Sequence, residues 1–96
     1  MKQKYTVRKG AGLEVEGDVT GVWGIDKREI IFNGKKTSRF ILTHVPSGYM
    51  VEGARTKRFL TELIKTLPDV EELTETEVDK IIEAVAAARL AHGWDA

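Results

Sequence analysis

Ninety-six residues with fifteen Lys/Arg, fifteen Asp/Glu and no cysteine limit this chain to one modest core, and exclude disulfides, thiolate chemistry and a sulfur-built zinc site. An apolar share of 42% and a charged share of 31% argue against disorder throughout. No apolar run approaches the ~20 residues that span a bilayer, and the opening residues lack the apolar stretch of a secretory signal, so a cytoplasmic protein with no membrane partner is expected.

Tyr5 and Val7 alternate with Lys4, Thr6 and Arg8, the two-residue period of a strand with one buried face, before Gly10-Ala11-Gly12 breaks the pattern. From Leu13 the odd positions Leu13, Val15, Val19, Trp23 and Ile25 are apolar, while Glu14, Glu16, Asp18, Thr20 and Asp26 occupy the even ones. Gly17-Asp18 suits a hairpin turn, with one long strand bulged at Gly17 as the competing reading. Asp26-Lys27-Arg28 reads as a polar turn. Ile30, Ile31 and Phe32 run into Asn33-Gly34, the strongest short hairpin signal, because a type I′ turn needs positive φ at both centres. The return strand, Ser38 to Val45, alternates Phe40, Leu42 and His44 with Arg39, Ile41 and Thr43. Pro46-Ser47-Gly48 makes the next turn and Tyr49 begins a last strand.

At Gly53 the period changes. Phe59, Leu60, Leu63, Ile64 and Leu67 share one helical face, with Thr56 as N-cap and Pro68 as terminator. Thr74 with Glu77 forms a capping-box pair for a second helix that carries a core stripe of Val78, Ile81, Ile82 and Val85, and Gly93 stops it. The fold class expected is α+β: an antiparallel meander of five or six short strands over about residues 3–52, then helices over about 56–67 and 75–92, in one domain spanning 1–96. The second helix also carries Ala84, Ala86, Ala87, Ala88 and Ala91. Small residues admit a close neighbour and hence a homodimer through this helix, although helix propensity alone also accounts for alanine.

Catalytic and cofactor motifs fail on inspection. Asn33-Gly34-Lys35-Lys36-Thr37-Ser38 resembles a phosphate-binding loop, but Glu29 stands where its first glycine belongs. Gly10-Ala11-Gly12 starts a dinucleotide-type pattern, but Val15 holds the third glycine position and strands follow where a helix is required. His44 and His92 lie in separate elements: His44 reads as a packed, hydrogen-bonded residue, and His92 suits the carbonyl end of its helix. Ser38 and Ser47 read as strand and turn residues. The stripe of Glu14, Glu16 and Asp18 reads as a solvated sheet face. No enzyme, catalytic residue, metal site or cofactor is expected.

Charge is unevenly distributed. Residues 1–58 hold twelve Lys/Arg against six Asp/Glu, a balance of +6, and residues 59–96 hold three against nine, a balance of −6. Lys27, Arg28, Lys35, Lys36 and Arg39 flank the Asn-Gly turn, and Arg55, Lys57 and Arg58 begin the first helix, where cations oppose the helix dipole. That set is a candidate phosphate-tracking, nucleic-acid-binding surface. Asp69, Glu71, Glu72, Glu75, Glu77 and Asp79 form the acidic counterpart, a candidate surface for docking into a basic groove on another protein. Attraction of the two halves across the core, and capping with solubility at the helix start, are the structural explanations for the same pattern.

The segment Phe40-Ile41-Leu42-Thr43-His44-Val45-Pro46-Ser47-Gly48-Tyr49-Met50-Val51, followed by a helix from about Arg55, resembles small phage and prophage proteins of unknown function, in which a strand, a Thr-His-x-Pro-Ser/Thr-Gly turn, a second strand and a helix occur together. The resemblance covers about thirty residues. It implies a phage or mobile-element origin and carries no functional residue with it. Small size, charge polarity and this resemblance lead to the expectation of a non-enzymatic binding protein that engages or inhibits a host protein or nucleoprotein complex, with nucleic-acid binding as the alternative.

Overall fold

The computed structural model describes residues 2–7 and 12–93. Five strands form one antiparallel sheet in sequence order: β1 (Lys2–Val7), β2 (Leu13–Thr20), β3 (Trp23–Phe32), β4 (Lys35–His44) and β5 (Tyr49–Ala54). Two helices follow, α1 (Lys57–Ile64) and α2 (Glu75–His92). The α+β meander is as the alternation implied. The break expected at Gly10-Ala11 lies outside the described residues.

Two turns differ from expectation. β2 runs unbroken through Gly17-Asp18, and the chain reverses instead at Gly21-Val22, with Gly21 at φ 60°. Gly17 is needed for close approach and not for a turn: a Cβ there would lie 2.3 Å from the Ile25 carbonyl oxygen. Asp26-Lys27-Arg28 is likewise no turn, since all three pair with β4, opposite Ile41, Phe40 and Arg39. Their polarity has another cause. Asp26 and Arg28 share one face of the strand and bind each other. The hairpin at Asn33-Gly34 is as expected, with φ of 52° and 76°.

Register decides which side chains meet. Trp23, Ile25 and Leu42 point toward the helices and build the core with Ala54, Phe59, Leu60, Leu63, Leu67 and Ile81. Burial of each large apolar side chain among these contributes roughly 1.5–3 kcal/mol. A bulge between Leu42 and Thr43 in the β4–β5 pairing leaves Val51 as the extra residue, and it packs against this core.

The opposite face has a smaller cluster of its own. Tyr5 lies across Gly24, where a Cβ would come within 2.7 Å of the ring, and its hydroxyl donates to Asp26 Oδ1 at 3.3 Å. Asp26 is buried and takes a two-pronged contact from Arg28, at 2.5 Å from Nε and 3.0 Å from Nη2. Burial first, and the Asp26 carboxylate second, push the Tyr5 phenol well above its ordinary range.

α1 is capped by Thr56, whose hydroxyl accepts from the Phe59 amide, and it ends at Ile64, a turn earlier than the apolar pattern suggested. α2 is capped by Thr74, accepting from the Glu77 amide at 3.3 Å. The carboxylate of Glu77 turns toward Lys80 at 3.9 Å, so only half of the capping box forms among the described residues. α2 is held down mainly through Ile81 and Arg89, its two buried residues. Arg89 donates to Glu52 Oε2 at 3.1 Å and to the Gly53 carbonyl at 2.6 Å, and its guanidinium lies 4.3 Å from the Phe59 ring centre. Ile82, expected in the core stripe, faces outward. A helix that touches the sheet along so narrow a line buries one apolar row, and the next row around the barrel is left to solvent.

Candidate functional site

The acidic residues occupy the connector between α1 and α2 and the first turns of α2. That connector is fixed from below. His44, fully buried at the end of β4, packs edge-on against Trp23 with ring centres 5.3 Å apart. A carbonyl can only accept, so His44 Nε2 donates to Val70 O, at 2.6 Å. Nδ1 faces the Ser47 hydroxyl at 2.7 Å. A serine beside a histidine oriented by a third group has the outline of a nucleophile and base. Here the imidazole is enclosed and Ser47 Oγ accepts the Tyr49 amide within the turn, so the pair works as a clamp between the 45–48 turn and the connector.

On this clamped segment Asp69, Glu71, Glu72, Glu75 and Asp79 are exposed and make no ion pair among the described residues, whereas Glu77 is half-buried and paired with Lys80. Asp69 lies over the β2–β3 turn, its Oδ1 3.0 Å from where a Gly21 side chain would begin. The acidic group therefore gathers at the end of the sheet that carries the 21–22 and 45–48 turns. The Asn33-Gly34 hairpin is at the other end of the ten-residue strands β3 and β4.

The basic residues are less coherent. Alternation along the hairpin sends Lys27 and Lys36 to the helix-bearing side, and Arg28, Lys35 and Arg39 to the other. Arg28 is committed to Asp26, with Nη1 also 3.2 Å from Met50 Sδ. Arg39 donates to Thr37 Oγ1 and Ser38 O, each at 3.0 Å. Lys27 lies over the Phe40 ring, 5.8 Å from its centre. At the start of α1, Lys57 pairs with Asp18 of β2, and that hydrogen bond holds the Asp18 carboxyl below the usual carboxylate range. This answers why a lysine stands at a helix start. α1 has no acid in its own first turn, and β2 brings one to it. Lys2, Lys27 and Lys57 share a groove on the helix-bearing side with Glu16 and Asp18, so its charge is close to balanced. Arg55 and Arg58 are exposed, and Arg58 borders a separate groove with Phe59 and His92.

Two constellations were not anticipated from sequence: Tyr5–Asp26–Arg28 and Glu52–Arg89. Spacing signals only the Asp26–Arg28 half of the first, since residues two apart on a strand share a face; Tyr5 is 21 positions from Asp26 and has no local signal. The second joins residues 37 positions apart and has no local signal. Among the described residues, no group of three or more His, Cys, Asp or Glu converges to hold a metal ion, and no helix is long and apolar enough to cross a membrane. No protein-family model, no curated protein and no solved structure matches the chain.

Proposed function

We propose that the protein is a small non-enzymatic binding protein whose acidic pole docks against a basic surface of a protein partner. The observation that carries this reading is the gathering of Asp69, Glu71, Glu72, Glu75 and Asp79, exposed and without ion pairs among the described residues, on a backbone segment held by His44 and the Thr74 cap. A backbone that is already ordered loses little conformational entropy on docking, and one-signed fields steer encounter. The Thr43-His44-Val45-Pro46-Ser47-Gly48 turn and the strand after it support a phage or mobile-element origin. The partner on this reading is a host protein, such as an enzyme or defence complex, in the host cytoplasm.

Affinity enrichment from bacterial host extract tests the reading. The wild-type chain recovers one defined protein partner; Glu72→Lys with Glu75→Lys loses it; Lys35→Glu with Lys36→Glu keeps it. Recovery indifferent to reversal of the acidic pair sinks the proposal.

A second reading has an observation of its own. Lys27, Lys35, Lys36, Arg39, Arg55 and Arg58 make no ion pair among the described residues, and the hairpin carries cations on both faces, as a ribbon entering a DNA major groove does. On that reading a DNA duplex binds with steep salt dependence, and reversal of Lys35 and Lys36 abolishes it.

A further inference from the structure

The β3–β4 hairpin leaves the sheet as a two-stranded ribbon. β2 pairs with β3 only as far as Ile25, and β5 pairs with β4 only as far as Phe40. From Arg28 and Arg39 outward, the two strands therefore have only each other among the described residues. Register sorts charge between the faces of the sheet. Glu14, Glu16, Asp18, Glu29 and Glu52 all fall on the helix-bearing side. The open side holds one strand carboxylate, Asp26, and it is buried and bonded by Tyr5 and Arg28. Along the open side of the ribbon Ile30 stands opposite Thr37, with Lys35 toward the tip and Arg39 toward the sheet. Ile30 is 37% exposed. Thr37 Oγ1 and the Ser38 carbonyl both accept from Nη1 of Arg39, which fixes the direction of its guanidinium.

From this arrangement we propose that the open face of the ribbon contacts duplex DNA and reads thymine. Four residues of extended strand separate Lys35 from Arg39, about 14 Å at 3.4 Å per residue. The DNA major groove is about 12 Å wide, so the two cations reach phosphates on its opposite walls. Between them the methyl groups of Ile30 and Thr37 lie over the groove floor. The only apolar group that a base pair presents there is the C5-methyl of thymine, and short apolar side chains recognise it by contact. The helix-bearing face is unsuited to the same role, because Glu29 stands between Lys27 and Ile31 and repels phosphate. A bilayer is also a poor fit. Asn33, Gly34 and Lys35 form the tip, so insertion carries polar groups and a charge deepest, with Ile30 behind them. The assignment rests on the nucleic-acid reading of the hairpin. It leaves the acidic connector, at the other end of β3 and β4, untouched.

Fluorescence anisotropy at low salt tests it with two duplexes. One is alternating A·T, and the other is the same sequence with deoxyuridine for thymine, which removes only the methyl groups. The wild-type chain binds the thymine duplex at least about fourfold more tightly, the ratio that burying one methyl group supplies. Ile30→Ser abolishes that ratio, and Ile31→Ser, at a 74% exposed position on the opposite face, keeps it. Circular dichroism checks that both variants fold, and the comparison of the two duplexes on the wild-type chain needs no variant. Lys35→Glu with Lys36→Glu loses both duplexes. Absence of duplex binding at low salt ends the nucleic-acid reading and this proposal with it. Equal binding of the two duplexes, lost on reversal of Lys35 and Lys36, keeps that reading and overturns the thymine contact alone. A ratio abolished by Ile31→Ser and kept by Ile30→Ser overturns the choice of face. Binding to phosphatidylglycerol vesicles in place of either duplex overturns the proposal as well.

Discussion

Removing Arg89 is the sharpest test of how α2 is held. Arg89→Met keeps most of the side-chain volume but deletes the guanidinium that reaches Glu52, Gly53 and the Phe59 ring. Breaking a buried ion pair from one side costs roughly 3–5 kcal/mol. Glu52 keeps 23% of its side chain exposed, so water partly rehydrates the stranded carboxylate and the cost falls toward the lower end. The Gly53 carbonyl loses a bond to a charged donor, about 1.5–3 kcal/mol by itself, and the ring contact adds about 1 kcal/mol. These contributions overlap and do not sum, so the expected loss is about 3–4 kcal/mol. Domains of this size hold about 5–14 kcal/mol in all, so the loss is a large part of the total. Urea unfolding followed by fluorescence of the buried Trp23 measures it. A loss below about 1 kcal/mol for Arg89→Met refutes the view that this residue anchors the helix.

Gly24→Ala destabilises the chain by about 1–3 kcal/mol because its Cβ meets the Tyr5 ring at 2.7 Å, and Tyr5→Leu in the same chain relieves part of that loss in chemical denaturation. Tyr5 stays protonated beyond the ordinary tyrosine range of about 10 in absorbance titration. Because its folded-state value is raised, the stability it contributes is full below pH ~10 and is lost as pH climbs toward the folded value, whereas a Tyr5→Phe chain lacks that added alkaline dependence. Thr43 Oγ1 is buried with no hydrogen-bond partner among the described residues, so Thr43→Val leaves the unfolding midpoint unchanged or raises it, and a loss above about 1 kcal/mol shows that the hydroxyl has a partner after all.

The meander and both helices were legible because each rests on local signals: alternation from Leu13, Asn33-Gly34, Pro46-Ser47-Gly48, and threonine caps at Thr56 and Thr74. The errors share a cause. A polar triplet such as Asp26-Lys27-Arg28 looks like a turn until its cross-strand partners are known, and a glycine such as Gly17 looks like a bend when its purpose is to admit Tyr5. Both depend on the neighbouring strand of the sheet. Ile81 and Ile82 are indistinguishable in a one-dimensional pattern, yet one is buried and the other exposed. Which of two adjacent apolar rows a helix turns inward is settled by anchors such as Arg89, whose partners Glu52 and Gly53 lie outside the helix. The acidic group was legible as a run of sequence. Its rigid presentation was not, because that depends on His44 reaching across 26 positions to Val70.

Site-specific photo-crosslinking in host extract asks most directly whether the negatively charged end is the working surface. With the reactive group at Glu72, one discrete protein adduct forms and weakens as salt is raised, while the same group at Lys35 gives none. An adduct from Lys35 alone, or none from Glu72 at any salt, contradicts the account.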